Sequence, residues 1–238
     1  MWYLPMNVNL PPFDDIRVRH ALNLAVDRAA PVKLFGGPHL ATPGCQFLPP
    51  GLPGRVEYCP YALNLAEARR LVVESGTAGQ AVTLVTDDSP SATAIGTYMM
   101  DVLADLGFQP RLRTLSGAIQ FTYVQNTQNR VQLSLTTWYA DYPSARAYLG
   151  GAFGCSAFRP GSDASPNIPG YCDKAWDQAL AAAYDQASLA AADRALTDAA
   201  PAVVLFHPHD PDFTSARLQN FQYHEQFRWL IGQSWLTP

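Results

Sequence analysis

AVTLVTDDSPSATAIGTYMMDVLADLGFQPRLRTLS (81–116) changes its hydrophobic rhythm twice. AVTLVTDD (81–88) is short, apolar and rich in β-branched residues, as a strand requires. SATAIGTYMMDVLADLG (91–107) reads as a helix that stops at a glycine. FQPRLRTLS (108–116) returns to alternation and so to a strand. The pattern continues outward: GAIQFTYVQNT (117–127) is expected to be helical, and RVQLSLTTWY (130–139) a strand enriched in β-branched and aromatic residues. Strand–helix–strand–helix–strand predicts an α/β fold, a sheet built with right-handed crossovers and flanked by helices. WYADYP (138–143) then falls at the C-terminal end of a strand, the edge at which open α/β sheets bind ligands.

Upstream, DDIRVRHALNLAVDRAA (14–30) predicts a helix capped by Asp14 or Asp15. The Gly- and Pro-rich 35–61 is expected to be irregular, and LNLAEARRLVVESG (63–76) to be a helix closed by Gly76. Downstream, a short helix (144–151) leads into the loop GCSAFRPGSDASPNIPGYC (154–172). Helices at 173–187 and 188–199 follow, then the apolar strand AVVLFHP (202–208) and an aromatic tail with little periodicity.

The 238 residues are 48% hydrophobic and 15% charged, which suits a globular chain with a substantial core. The net charge of −4 and the absence of a basic run argue against nucleic acid as a partner. No apolar run is long enough to span a bilayer. MWYLPMNVNLPPFDD (1–15) lacks the layout of a signal peptide and reads as a chain entered in mid-protein, so an export signal is expected upstream.

Cys45, Cys59, Cys155 and Cys172 allow three pairings. The local choice, Cys45 with Cys59 and Cys155 with Cys172, would close two loops rich in Pro, Gly and Ser; four separate buried thiols are the alternative. Each closure would contribute roughly 3 kcal/mol by restricting the unfolded chain, and would place the protein outside the cytoplasm. The cysteine spacing does not suit zinc.

No nucleophile-elbow, phosphate-loop, dinucleotide or zinc-protease motif is present, and no cofactor is expected. HPHDPDF (207–213) gathers His207, His209, Asp210 and Asp212, which reads as a polar loop after a strand rather than a metal site. Catalysis through Asp141 or through this histidine cluster is the least favoured reading, and a cysteine–histidine nucleophile is weaker than structural bridges. Asp141, set among Trp138, Tyr139 and Tyr142, has two readings: a partner for a ligand ammonium, helped by ring faces, or a cap for the helix beginning near Pro143.

Three segments, taken together and in order, carry a family likeness: MNVNLPPFDDIRVRHALNLAVDR (6–28), TTWYADYPSA (136–145) and SPNIPGYCDKAWDQAL (165–180). The chain resembles the extracellular solute-binding proteins of family 5, the peptide and nickel class that feeds ABC importers. The resemblance implies a periplasmic-binding-protein-like (type II) lobe. It makes residues 1–200 the C-terminal α/β lobe, with 201–238 a return strand and tail toward a first lobe that is absent. It also implies reversible capture without catalysis, an importer permease as partner of the full-length protein, and an extracytoplasmic location with anchoring through upstream sequence. In peptide-binding members the aspartate of the ADYP stretch meets the ligand's α-amino group. Asp141 takes that position, with Trp138, Tyr139 and Tyr142 as neighbours and Asn167 as a loop candidate. The pattern departs at Ser144, where the family has a second aspartate. An extracytoplasmic sensing domain of a larger protein is the alternative use of the same lobe.

If both local bridges form, intact mass with and without reductant should differ by about four hydrogens; equal masses would remove the bridges and the argument for export that rests on them.

Overall fold

AVVLFHP (202–208) has no polar alternation, and such a strand needs apolar cover on both faces. The computed structural model, which describes residues 1–209, 211–224 and 228–237, supplies that cover. In chain order its elements are β1 (Trp2–Pro5), α1 (Ile16–Ala25), α2 (Ala29–Phe35), β2 (Ala41–Pro43), α3 (Leu65–Ser75), β3 (Ala81–Asp87), α4 (Pro90–Asp105) and β4 (Gln109–Leu115). Then come α5 (Gly117–Gln125), β5 (Leu133–Ser134), β6 (Thr136–Thr137), α6 (Ala145–Phe153), α7 (Lys174–Ala181), α8 (Gln186–Ala199) and β7 (Ala202–Pro208). The tail carries β8 (Leu218–Gln219), β9 (Tyr223–His224), β10 (Arg228–Trp229) and β11 (Trp235–Leu236).

β7 lies between β2 and β1 in a four-stranded antiparallel sheet of order β2-β7-β1-β6. Because successive side chains point to opposite faces, β7 and β1 feed two cores. Val203, Leu205 and Leu4 join Met6, Leu22 and Ile95 on one side, where Phe206 also packs because the β1–β7 register shifts between Trp2 and Tyr3. Ala202, Val204 and Tyr3 join Phe47, Phe153 and Trp176 on the other. The first core is completed by α1–α4, and the second by α6–α8 and the loop around Phe47 and Leu48.

The stretch 81–116 forms the expected β3–α4–β4 unit. Ser89 caps α4 with Pro90 in its first turn, and β3 and β4 pair in parallel along their whole length. The expected single strand over 130–139 is instead two short ones, separated by Leu135. On one side Leu133 and Ser134 run parallel to Leu84 and Val85. On the other, Met6 meets Leu133, while Tyr3 and Trp2 pair antiparallel with Thr136 and Thr137. Competing partners on its two sides split the strand, and the split joins the three-stranded parallel sheet β4-β3-β5 to the antiparallel one.

Other boundaries also move. The helix expected over 14–30 stops at Ala25, where Val26 turns to extended backbone, and α2 begins after a break. The helix expected at 173–187 ends at Ala181, and Asp185 opens α8 with a capping box. β1 and β2 went unread because four- and three-residue strands carry too little periodicity.

Two arginines of the 6–28 segment lie under the surface and face carbonyls rather than carboxylates. Arg19 donates to the carbonyls of Phe13, Asp14 and Ala199. Arg28 donates to those of Val204, Asn23 and Tyr61 and to Asn23 Oδ1. Burial pushes the Arg28 guanidinium down to about 10.

The irregular 44–59 loop is held at both ends by the Cys45–Cys59 disulfide, with Cα atoms 5.3 Å apart. In between, the fully buried Asp193 of α8 accepts from Gln46 Nε2 (2.6 Å) and the Leu48 amide (3.2 Å). Burial raises the Asp193 carboxyl above the usual carboxylate range, against the pull of the Gln46 bond.

His207, expected in a polar loop, is instead a strand residue of β7 and only 4% exposed. Apolar packing seats it there, and burial, with Arg55 adding to it, pushes its imidazole down to about 3. His209 turns away to Thr42 Oγ1 (2.7 Å), Asp212 lies exposed in the tail, and Asp210 is outside the described residues.

Removing the acceptor in Asp193→Ala strands two buried donors and should lower stability by about 2 kcal/mol in urea unfolding; a loss under half that would show that the loop is held elsewhere. For His207 the folded value lies below the unfolded one, so the unfolded chain binds the extra proton between about 3 and 6.5. Stability should therefore fall on acidification, by about 2 kcal/mol between pH 7 and pH 5. His207→Gln should remove that component, seen as the difference between the two pH slopes; equal slopes would contradict it.

Candidate functional site

The site begins where β6 ends. Trp138 is locked before the chain turns outward: its amide donates to Met1 O (2.9 Å) and its carbonyl accepts from the Met1 backbone nitrogen (2.6 Å). Its indole Nε1 donates to the Tyr148 carbonyl of α6 (3.0 Å). The ring lies so close to α6 that a Cβ at Gly151 would sit 3.0 Å from it. A side chain at Gly151 would require the indole to give by a few tenths of an ångström.

Residues 138–144 then cross to α6 without regular structure, and Ser144, not Asp141, caps that helix by accepting from the Ala147 amide (3.3 Å). Serine serves this position as well as aspartate does, so the departure at Ser144 leaves the helix start intact. Asp141 is exposed and, among the described residues, receives no hydrogen bond and joins no ion pair. The capping reading of Asp141 is thereby replaced.

Asp141, Trp138 and Tyr142 line one open cleft of about 770 Å³, whose floor is α6 and whose far walls are α7 and the 154–172 loop. Tyr142, half exposed, also borders a hollow of about 250 Å³ beside Pro49 and Leu52. Tyr139 points elsewhere, into a small cavity of about 150 Å³ lined by His207 and Tyr148.

Asn167 is separated from this group. It is 1% exposed, and its amide nitrogen donates to the Gly154 (2.9 Å) and Tyr171 (2.7 Å) carbonyls. Its oxygen accepts from the Tyr171 amide at 3.2 Å. With the Cys155–Cys172 disulfide, it shapes the loop that walls the cleft rather than facing into it.

The cleft also contains residues that sequence reasoning passed over: Arg146 on α6, Arg159 in the loop and Asp177 on α7. Asp177 accepts from the Cys155 amide (3.0 Å). Arg146 donates to the Ala181 carbonyl (3.1 Å) and stacks 4.3 Å over the Tyr184 ring. Arg146 lies two residues past the Ser144 cap, so a cap-based helix start would have placed it in the first turn of α6. Nothing in the sequence pointed to Arg159 without the pairing of Cys155 and Cys172.

The arrangement supplies charge, ring faces and a shallow floor of Ala147, Gly150 and Gly151. It can hold a small polar solute. Among the described residues, no histidine or free thiol lines the cleft.

Residues 1–159 match the model of bacterial extracellular solute-binding proteins, family 5 Middle. The chain is 31% identical over 187 residues to the glutathione-binding protein GsiB of Salmonella choleraesuis (strain SC-B67), covering 76% of this chain and 36% of that protein. The corresponding Escherichia coli (strain K12) protein is 29% identical over the same length. Among solved structures, the clavulanic acid biosynthesis oligopeptide binding protein 2 superposes with a TM-score of 0.88 at 20% identity, covering the whole of this chain and 46% of that one. The periplasmic binding protein DppA from Helicobacter pylori, in complex with the peptide STSA, gives 0.82 at 18% identity, over 100% and 47%. These likenesses establish the periplasmic-binding-protein-like type II fold, and the chain spans about a third of the length of the curated relatives it matches. Carried by the match over 1–159, the chain belongs to the bacterial extracellular solute-binding proteins of family 5.

Proposed function

We propose that this chain is the ligand-binding lobe of an exported solute-binding protein that feeds an ABC importer. It takes short peptides or other small amine-bearing solutes, and it captures and releases them without turnover. The observation that carries this reading is the Asp141 carboxylate, which has no partner among the described residues and sits in a cleft whose lining includes Trp138 and Tyr142. An ammonium placed there gains a charge-assisted hydrogen bond and the faces of the rings. The names of the relatives, a glutathione-binding protein and a peptide-bound DppA, support a peptide-like ligand.

In this reading residues 1–200 form the C-terminal lobe, and 201–238 return toward a first lobe encoded outside this chain. Hinge closure between the lobes encloses the solute, and upstream sequence exports and anchors the protein. Asp141, Trp138 and Tyr142 contact the ligand. Tyr139 borders the site from the neighbouring cavity, and Asn167 acts by holding the loop.

Asp141→Asn in the two-lobed protein should weaken trialanine binding by about 1–3 kcal/mol in titration calorimetry. The exposed site should leave the unfolding midpoint unmoved. Equal affinities for wild type and variant would overturn the assignment.

A further inference from the structure

Helix α6, ARAYLGGAF, carries two adjacent glycines in its interior, Gly150 and Gly151, and a third, Gly154, at its C-cap. Glycine inside a helix is destabilising relative to alanine, because it gives up the most backbone freedom on folding. Each of these positions therefore calls for a physical cause.

Packing supplies that cause at two of the three. A Cβ at Gly154 would fall 2.6 Å from the Gly150 carbonyl oxygen, and one at Gly151 would fall 3.0 Å from the Trp138 ring. Gly150 differs. Its φ is not in the left-handed region, and a Cβ there would meet one atom, Leu180 Cδ2 on α7, at 3.5 Å. That is an ordinary van der Waals distance. The fold would accept alanine at this position and gain helix stability from it. Gly150 is half-buried, and both it and Leu180 line the Asp141 cleft, so the space left by the missing methyl group belongs to the cleft. One turn earlier, Ala147 lines the same cleft and keeps its methyl group. The clearance without a packing cause is confined to residue 150.

We propose that Gly150 is a specificity-determining residue of this cleft: its bare backbone lets the main chain of the solute lie directly against α6, which selects slender, extended chains over solutes that are bulky where they cross the helix. The proposal rests on the reading of the cleft as the solute site given above, and adds the residue that sets its depth. Close approach of a ligand to the backbone is a role that glycine serves and alanine does not. A methyl group at 150 would hold the chain away from the helix, and a gap of only about 0.5–1 Å already forfeits a quarter to a half of each contact. Alanine at this position therefore acts with opposite signs on the fold and on binding, which a purely structural glycine would not do.

The test compares wild type, Gly150→Ala and Asp141→Asn in the two-lobed protein, each by thermal unfolding without ligand and by titration calorimetry with trialanine. Gly150→Ala should raise the unfolding midpoint by about 1–2 °C and weaken trialanine binding by about tenfold or more. A raised midpoint with unchanged affinity would overturn the proposal. Weakening in Asp141→Asn alone would then leave the cleft standing as the solute site. If neither variant weakens binding, the reading of the cleft fails, and the proposal with it. A lowered midpoint in Gly150→Ala would show that the fold itself requires glycine there, and would overturn the proposal whatever the affinity.

Discussion

The antiparallel pairing of β1 with β7 is the constraint on which the rest of this lobe depends. Trp2–Pro5 and Ala202–Pro208 come from opposite ends of the chain, and their contact divides the interior into two cores. Each large side chain they bury there contributes about 1.5–3 kcal/mol. That pairing also sets the site. The Met1 backbone reaches Trp138, Tyr3 aligns with Thr136, and the chain leaves the sheet at the point from which 138–144 must cross to α6. Shifting β1 by one residue would exchange its faces, sending Tyr3 to the wrong core and releasing the anchor of Trp138.

The two arginines of the 6–28 segment show how the ends are kept together. Arg19 reaches Ala199, at the end of α8, and Arg28 reaches Val204 in β7. Arg19 therefore ties α1 to the end of α8, and Arg28 ties the start of α2 to β7, each over more than 170 positions. A guanidinium has five donors and can satisfy several carbonyls at once, which a lysine could not do in the same geometry. Loss of either would leave carbonyls buried without donors, a heavier cost than the loss of an exposed ion pair such as Arg69–Asp105.

The parts legible in the sequence were those with long periodicity or distinctive caps. β3, α4 and β4 follow from 81–116, α3 follows from its periodic run closed by Gly76, and β7 matches its seven-residue apolar run. Competition between partners was not legible: 130–139 has the composition of one strand, and only the presence of β1 on one side and β3 on the other divides it. At the site, Asp141 stood out by its aromatic company, and its neighbours Trp138 and Tyr142 share its cleft. Asn167 looked like a polar loop residue, yet its amide is spent on the backbone. Arg159 was hidden in a Pro- and Gly-rich loop because its position depends on a disulfide and on Ser165, neither of which leaves a periodic trace.

What the cleft can achieve by itself is limited by water. Two unit charges 4 Å apart gain about 1 kcal/mol in bulk water and about 4 kcal/mol at an effective dielectric near 20. Asp141 and Arg159 both stand in the first regime, in an open cleft. The Arg159 backbone, held by Ser165 and the Cys155–Cys172 bridge, adds little ordering cost to a contact made there, but it does not supply a dry environment. Strong, selective capture therefore demands a second surface that excludes water from above, and the shallow floor of Ala147, Gly150 and Gly151 leaves room for a ligand to be pressed between the two. A charged cleft, weak while open and several-fold stronger once covered, is the electrostatic counterpart of the capture and release proposed for this lobe.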